Sequence, residues 1–123
     1  MKEFKLLDYD GDSQEWEREE KFSSLTEAED YIYNVYPINT FSVEYVIVSD
    51  SDDDDADTYY SITNIIYMRY KTEALDEGES EDFAENVGVE AVEEFNWRKK
   101  RQSPRFASQP LPTYYEIAER LRD

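Results

Sequence analysis

Asp8, Asp10, Asp12 and Glu19 occupy the first, third, fifth and twelfth places of a twelve-residue stretch, DYDGDSQEWERE. Those are places where an EF-hand loop puts oxygen ligands for calcium. The same region fits a second metal pattern. Asp10 or Asp12 followed by Glu19-Glu20-Lys21 follows the D…ExK order of metal-dependent nucleases, in which carboxylates hold Mg²⁺ and the lysine stabilises charge. Context argues against both. An EF-hand needs a helix on each side, and neither flank has helical periodicity. Its sixth place calls for glycine and here is Ser13; its eighth is usually aliphatic and here is Glu15. A nuclease needs a positive cleft, and among 31 acidic side chains such a match arises by chance. Asp10-Gly11 between two alternating runs is instead a hairpin turn. The expectation is a hairpin with no metal, no cofactor and no catalysis. A calcium loop, here or in the aspartate run further on, is the alternative.

The side chains that are missing narrow the chemistry further. The chain has no cysteine and no histidine, which removes disulfides, Cys/His zinc sites, cysteine nucleophiles and histidine bases. No N-terminal apolar run resembles a signal peptide and no stretch is long enough to span a bilayer. The expected location is the cytoplasm. The formal net charge is -18 over 123 residues, from 31 acidic and 13 basic side chains. Such a surface repels DNA and anionic lipid and calls for a basic partner. Acidic chains poor in aromatics are usually disordered; this one carries 11 Tyr, 6 Phe and 2 Trp, enough for a folded core.

The elements that would hold these residues follow from periodicity. KEFKLLDY, in which Phe4 and Leu6 alternate with Lys5 and Leu7, reads as a strand. So does QEWEREEKF, with Trp16 and Phe22 on one side and Glu15, Glu17 and Glu19 on the other. SSLTEAEDYIYNVYP is a helix: Ser24 and Glu27 make a capping box, Leu25, Ala28, Ile32 and Val35 share a face, and Pro37 ends it. FSVEYVIVS is a strand with Phe41, Val43, Tyr45 and Ile47 on one face. The run from Asp50 to Asp57 is expected as an exposed acidic loop, since no regular element suits that charge density. TYYSITNIIYMRYK, Thr58 to Lys71, reads as a long strand paired with the one before it. Thr72 to Phe83 reads as a loop broken at Gly78. Ser80 caps a second helix running to about Arg101, with Phe83, Val87, Ala91 and Phe95 as its buried stripe and Gly88 as a weak point. Its acidic start and basic end suit the helix dipole. A proline-rich connector leads to a short helix capped by Thr113. The expected fold is α+β: an antiparallel sheet of about four strands with helices on one face, in the order β-β-α-β-β-α-α. Residues 1–101 would form the domain, and 102–123 a connector and helix packed on it.

Charge is concentrated. Between Glu73 and Glu94 there are ten acidic residues and no Lys or Arg, and six aspartates lie between Asp50 and Asp57. Carboxylates two apart on a strand are about 6.6 Å apart; those four apart on a helix are about 6 Å apart. Both spacings are similar to that between neighbouring phosphates of a nucleic-acid strand. The plain alternative is a solvated acidic face. The tyrosines set among the acids, Tyr31, Tyr33, Tyr36, Tyr59 and Tyr60, favour an interface. The basic cluster Arg98, Lys99, Lys100, Arg101 and Arg105 reads as a helix cap that neutralises an acidic neighbour.

The segment Ser24 to Val46 resembles a pattern of small bacteriophage proteins: a capped helix with Glu-Ala in its first turn, a Tyr-Pro stop, then a strand with Phe-x-Val. Leu25, Glu27, Ala28, Tyr36, Phe41, Val43 and Val46 carry it. In this it is similar to the phage inhibitor of bacterial RNA polymerase, and in charge and size to acidic phage proteins that mimic DNA. The resemblance implies an inhibitor that blocks a basic nucleic-acid-binding host protein, without itself binding nucleic acid or membrane. A homodimer would lengthen its charged face. The expected contact residues are Asp50, Asp52, Asp53, Asp54, Asp55, Asp57, Tyr59 and Tyr60, with Glu77, Glu79, Glu81, Asp82 and Glu85; Trp97 is a further candidate anchor. The competing expectation is an adaptor that binds a transcription or translation complex through its sheet edge or Tyr-rich helix.

Overall fold

Alternation of Phe4 and Leu6 with Lys5 and Leu7 produces an extended segment, β1 (Phe4–Asp10), in a computed structural model that describes residues 3–10, 15–38, 43–101 and 110–122. It is followed by β2 (Glu15–Phe22), α1 (Leu25–Asn34), β3 (Val43–Asp50), β4 (Asp53–Ser61), α2 (Ile62–Asp76), α3 (Glu81–Arg101) and α4 (Tyr114–Arg122). The fold is α+β, with one antiparallel sheet in the order β2-β1-β3-β4. The chain forms two compact units. One holds the four strands and α1 and ends at Ile62; the other holds the helices from Thr63 onward.

In the sheet unit, strand register decides which side chains meet. Leu6 lies opposite Val48, Asp8 opposite Val46, and Val46 opposite Tyr60. Partners in register share a face, so Leu6, Asp8, Val46, Val48 and Tyr60 line one side. Helix α1 lies on that side and packs on β1 and β2. Leu6, Val46, Val48, Ala28 and Ile32 are fully buried there. Ser24 Oγ accepts the Glu27 N–H at 3.1 Å, as a capping residue should, but the return bonds from the Glu27 carboxylate go to Ser23 N and Oγ, not to Ser24. The expected helical stripe needs one correction. Leu25 and Val35 are exposed, whereas Tyr36 is buried. The helix ends at Asn34, and the turn that closes it, with Val35 N–H and Tyr36 N–H both bonded to Tyr31 O, swings the tyrosine inward. Phe41, also expected on this strand, lies outside the described residues.

Two expectations for the following segment are overturned. The aspartate run is not a loop: Asp50 ends β3, Ser51 and Asp52 turn, and Asp53 starts β4. Asp50 is buried, and its Oδ1 accepts the Asp52 N–H at 2.9 Å. Ser51 N–H bonds Glu3 O at 2.9 Å, which ties the turn to the start of β1. The residues between Thr58 and Lys71 are not one strand either. The strand stops at Ser61 and α2 begins at once and runs to Asp76, so the expected loop from Thr72 to Phe83 shrinks to the turn between Asp76 and Glu81. Ile62, Ile65, Ile66, Tyr70 and Ala74 are the buried positions, which is helical spacing. Packing of that stripe overrides the β preference of its isoleucines and tyrosines.

In the helical unit the expected caps hold. Ser80 Oγ accepts Phe83 N–H at 3.2 Å and Thr113 Oγ1 accepts Glu116 N–H at 3.3 Å. Gly78 takes a positive φ of 90° between α2 and α3, a conformation that glycine adopts without strain. Gly88 has a packing role. A Cβ there would lie 2.7 Å from Tyr67 Cδ2 and 2.9 Å from Tyr67 O, so glycine allows α2 to touch α3. Val87, Ala91 and Phe95 are buried as expected, joined by Ala84, whereas Phe83 is only half-buried. α4 packs on α3, and the Tyr70 hydroxyl donates to Pro112 O.

Candidate functional site

Charged groups beneath α1 are drawn into one network. Arg18 Nη1 donates to Asp8 Oδ2 at 2.7 Å, and the Tyr36 hydroxyl donates to Asp8 Oδ1, also at 2.7 Å. The guanidinium lies 5.0 Å from the centre of the Tyr36 ring. Tyr31 donates to Glu20 Oε1 at 3.0 Å, and Glu20 Oε2, buried and without a hydrogen bond, is 3.4 Å from Arg18 Nε. Burial alone would raise the Glu20 pKa. Its own backbone N–H, the Tyr31 hydroxyl and the Arg18 charge outweigh this and hold it below the ordinary glutamate value. Burial, then the bond to Asp8, pushes the Tyr36 phenol well above its ordinary range. Asp8 is committed to Arg18 and Tyr36, and the two flanks are strands rather than helices. Gly11 of the expected turn and Asp12 lie outside the described residues, as does the side chain of Asp10, which ends β1. Among the described residues no group of three or more acids is arranged to hold a metal ion.

The expected contact residues fall into two groups. In the sheet unit, Asp52 and Asp53 are exposed. Asp50 is buried, and Asp57 keeps Oδ1 buried without a hydrogen bond. The side chains of Asp54 and Asp55 lie outside the described ones. Tyr59 is 63% exposed, but Tyr60 is only 9% exposed. Tyr60 donates to Glu29 at 3.0 Å and meets Tyr33 edge-on with ring centres 6.1 Å apart. Burial and the Glu29 carboxylate raise its pKa strongly. Tyr60 is thus a core residue under α1, because alternation along β4 sends its neighbour Tyr59 to the opposite face. In the helical unit, Glu81 and Asp82 are exposed at the start of α3. The others have partners: Glu77 accepts from Tyr115 at 3.1 Å, Glu79 binds Tyr114 and Arg122, and Glu85 pairs with Lys71 at 3.8 Å.

Two surfaces are better formed than these. On β2, Glu15, Glu17 and Glu19 are all exposed. Glu15 stands opposite Tyr9 and Glu17 opposite Leu7, while Arg18 and Glu20 turn under α1. The three acids therefore share the face away from α1. That face also carries Tyr9, Tyr45 and Tyr59 around a buried Ile47, since Tyr45 opposes Tyr9 and Ile47 opposes both Leu7 and Tyr59. Tyr45 is 41% exposed and its ring centre is 6.0 Å from that of Tyr9. The second surface is on α3, where Glu90, Glu93, Glu94 and Trp97 line a depression with Arg120 of α4. Sequence reasoning counted these glutamates as charge without marking them as a site. Their spacing of three, four and seven residues, which stacks side chains on one helix face, was the available signal.

No protein-family model, curated protein or solved structure matches the chain. Among the described residues no helix is long and apolar enough to cross a membrane.

Proposed function

We propose that this protein is a stoichiometric inhibitor of the kind phages encode: it occupies a basic nucleic-acid-binding surface of a host protein and keeps nucleic acid out. The observation that carries this reading is the distribution of unpaired carboxylates. Ion pairs among the described residues draw on Glu3, Asp8, Glu20, Glu79, Glu85 and Glu94. Glu15, Glu17 and Glu19 take part in none and are exposed on an edge strand of the sheet, with Glu15 and Glu17 two residues apart in regular register and the pairing irregular from Glu17 to Lys21. Acids on an edge also discourage edge-to-edge pairing. A row fixed by backbone geometry does more than that, because its charges are ordered before a partner arrives. Asp52, Glu81 and Asp82 add long-range attraction that raises the association rate. The role needs no catalytic group and no cofactor.

The test is a pull-down from nuclease-treated bacterial lysate, eluted on a salt gradient and challenged with duplex DNA. The mimic reading expects a nucleic-acid-binding protein that elutes at high salt and is displaced by duplex. It expects the triple variant Glu15→Gln/Glu17→Gln/Glu19→Gln to bind that protein more weakly and with a flatter salt dependence. Unchanged affinity in the triple variant would remove β2 from the contact.

The exposed rings of Tyr45 and Tyr59 favour a second reading, an adaptor that binds a transcription or translation complex through the aromatic sheet face. That contact would be insensitive to salt and to duplex and would be lost in Tyr45→Ser/Tyr59→Ser.

A further inference from the structure

Two depressions of about 310 Å³ each flank α3 and share Glu93. One is the acidic depression at Glu90, Glu94, Trp97 and Arg120. The other is lined by Thr63, Asn64 and Tyr67 of α2 and by Val89 and Val92 of α3. Val89, Glu93 and Trp97 recur every four residues and form one stripe up the helix, about 12 Å long at 1.5 Å per residue. Val89 is 48% and Trp97 44% exposed, so two large apolar side chains stand in water on either side of a carboxylate.

The depressions differ in chemistry. Within the first, Glu94 is neutralised by Arg98 at 3.3 Å and Arg120 at 2.8 Å. Glu90 and Glu93 have no cation among the described residues. An indole beside two uncompensated carboxylates favours a cation through both charge and ring quadrupole. The Trp97 ring already serves as such a platform, since the Arg101 guanidinium carbon lies 3.7 Å from its centre. The second depression offers valine side chains and a tyrosine ring, held close because Gly88 lets Tyr67 against α3. It suits an aliphatic side chain.

We propose that this face of α3 docks a short basic amphipathic segment of the partner protein. One Lys or Arg of that segment lies against Glu90, Glu93 and Trp97, and one aliphatic side chain fills the depression between Tyr67 and Val89. Charge complementarity selects this occupant: a neutral or acidic segment would strip water from Glu90 and Glu93 without replacing it by a cation, which is costly. The two anchors lie within about 12 Å, about two helical turns of the partner. The inference rests on the reading that the partner is basic and adds where and how it is gripped.

The experiment measures anisotropy of two labelled peptides of equal charge at about 0.15 M salt, where exposed charges more than about 8 Å apart are largely screened. One is an amphipathic Leu/Lys helix former, the other an oligolysine. The full chain should bind the amphipathic peptide about tenfold more tightly, a difference of about 1.4 kcal/mol. That ratio should fall to about one in Glu93→Lys and in Val89→Asp, both at exposed positions. Glu17→Lys, the same charge change on β2, should weaken both peptides alike and leave the ratio intact. Glu93→Gln, a milder change, should reduce the ratio in part. A ratio of one in the unaltered protein, or a ratio that survives both α3 variants, overturns the docking surface while leaving a basic partner in place. If neither peptide binds even at low salt, the basic-partner reading fails with it.

Discussion

The acids under α1 and the acids on α3 are the same chemical groups put to opposite uses. Asp8 and Glu20 are partly buried with Arg18, Tyr31 and Tyr36: both Asp8 oxygens and Glu20 Oε1 accept a hydrogen bond, and Glu20 Oε2 faces the Arg18 guanidinium. Glu90 and Glu93 sit beside a half-exposed indole with no donor among the described residues. Enclosed charges must be satisfied within the chain, because an unpaired buried carboxylate costs several kcal/mol. Exposed charges tolerate having no partner and remain available to one. In a chain of net charge -18, composition does not separate structural acids from those a partner can use. An internal donor, cation or hydroxyl or N–H, does.

Four measurements press on that contrast. The largest effect is expected from Arg18→Ala, which leaves Asp8 and Glu20 facing each other's charge under the helix. With the pair only partly buried, the loss should be about 3 kcal/mol in urea unfolding, and a loss under about 1 kcal/mol would show that the network behaves like a surface pair. Next is Gly88→Ala. Alanine improves helix propensity by about 1 kcal/mol, but its methyl group meets backbone oxygen at 2.9 Å. Overpacking of about 1–3 kcal/mol should win, and a stabilised variant would mean α2 and α3 shift apart easily.

The third concerns pH. The Glu20 pKa is lower in the folded than in the unfolded chain, where it is near 4.5. Its contribution is therefore fully present above that value and is lost as pH falls through the folded value. The stability gap between the unaltered protein and Glu20→Gln should be constant near neutral pH and close below about pH 4.5. A gap that persists at lower pH would show that Glu20 acts through shape and not through charge. The smallest effect belongs to Glu93→Gln. Glu93 is three residues from Glu90 on an exposed helix face, so neutralising it removes a repulsion worth about 0.2–0.5 kcal/mol. The variant should melt slightly higher while binding the basic amphipathic peptide less well. Lower stability instead would mean that Glu93 serves the fold.

Much of this was legible in the chain. Helix caps at Ser24, Ser80 and Thr113 depend on one hydroxyl and a backbone N–H three residues on, and such local chemistry can be read without a fold. The alternation of β1 and β2 and the outward row Glu15, Glu17, Glu19 follow from period two. Other features could not be read so. The run from Thr58 to Lys71 contains strand-forming residues throughout, and its break at Ile62 depends on which isoleucines find a core. The aspartate run became a turn and strand because Asp50 could accept the Asp52 N–H and the turn could tie to Glu3.

Residue types and spacing thus determined the charge, the caps, the first three strands and the exclusion of thiol and imidazole chemistry, since these depend on neighbours within a few positions. Tertiary structure alone decided that Tyr60 is core while Tyr59 is surface, that Gly88 is a contact and not a flaw, and that Asp8 is held while Glu93 is unpaired. Each of those outcomes rests on a group far away in the chain, such as Arg18 for Asp8 or Tyr67 for Gly88. Only folding brings such partners within reach.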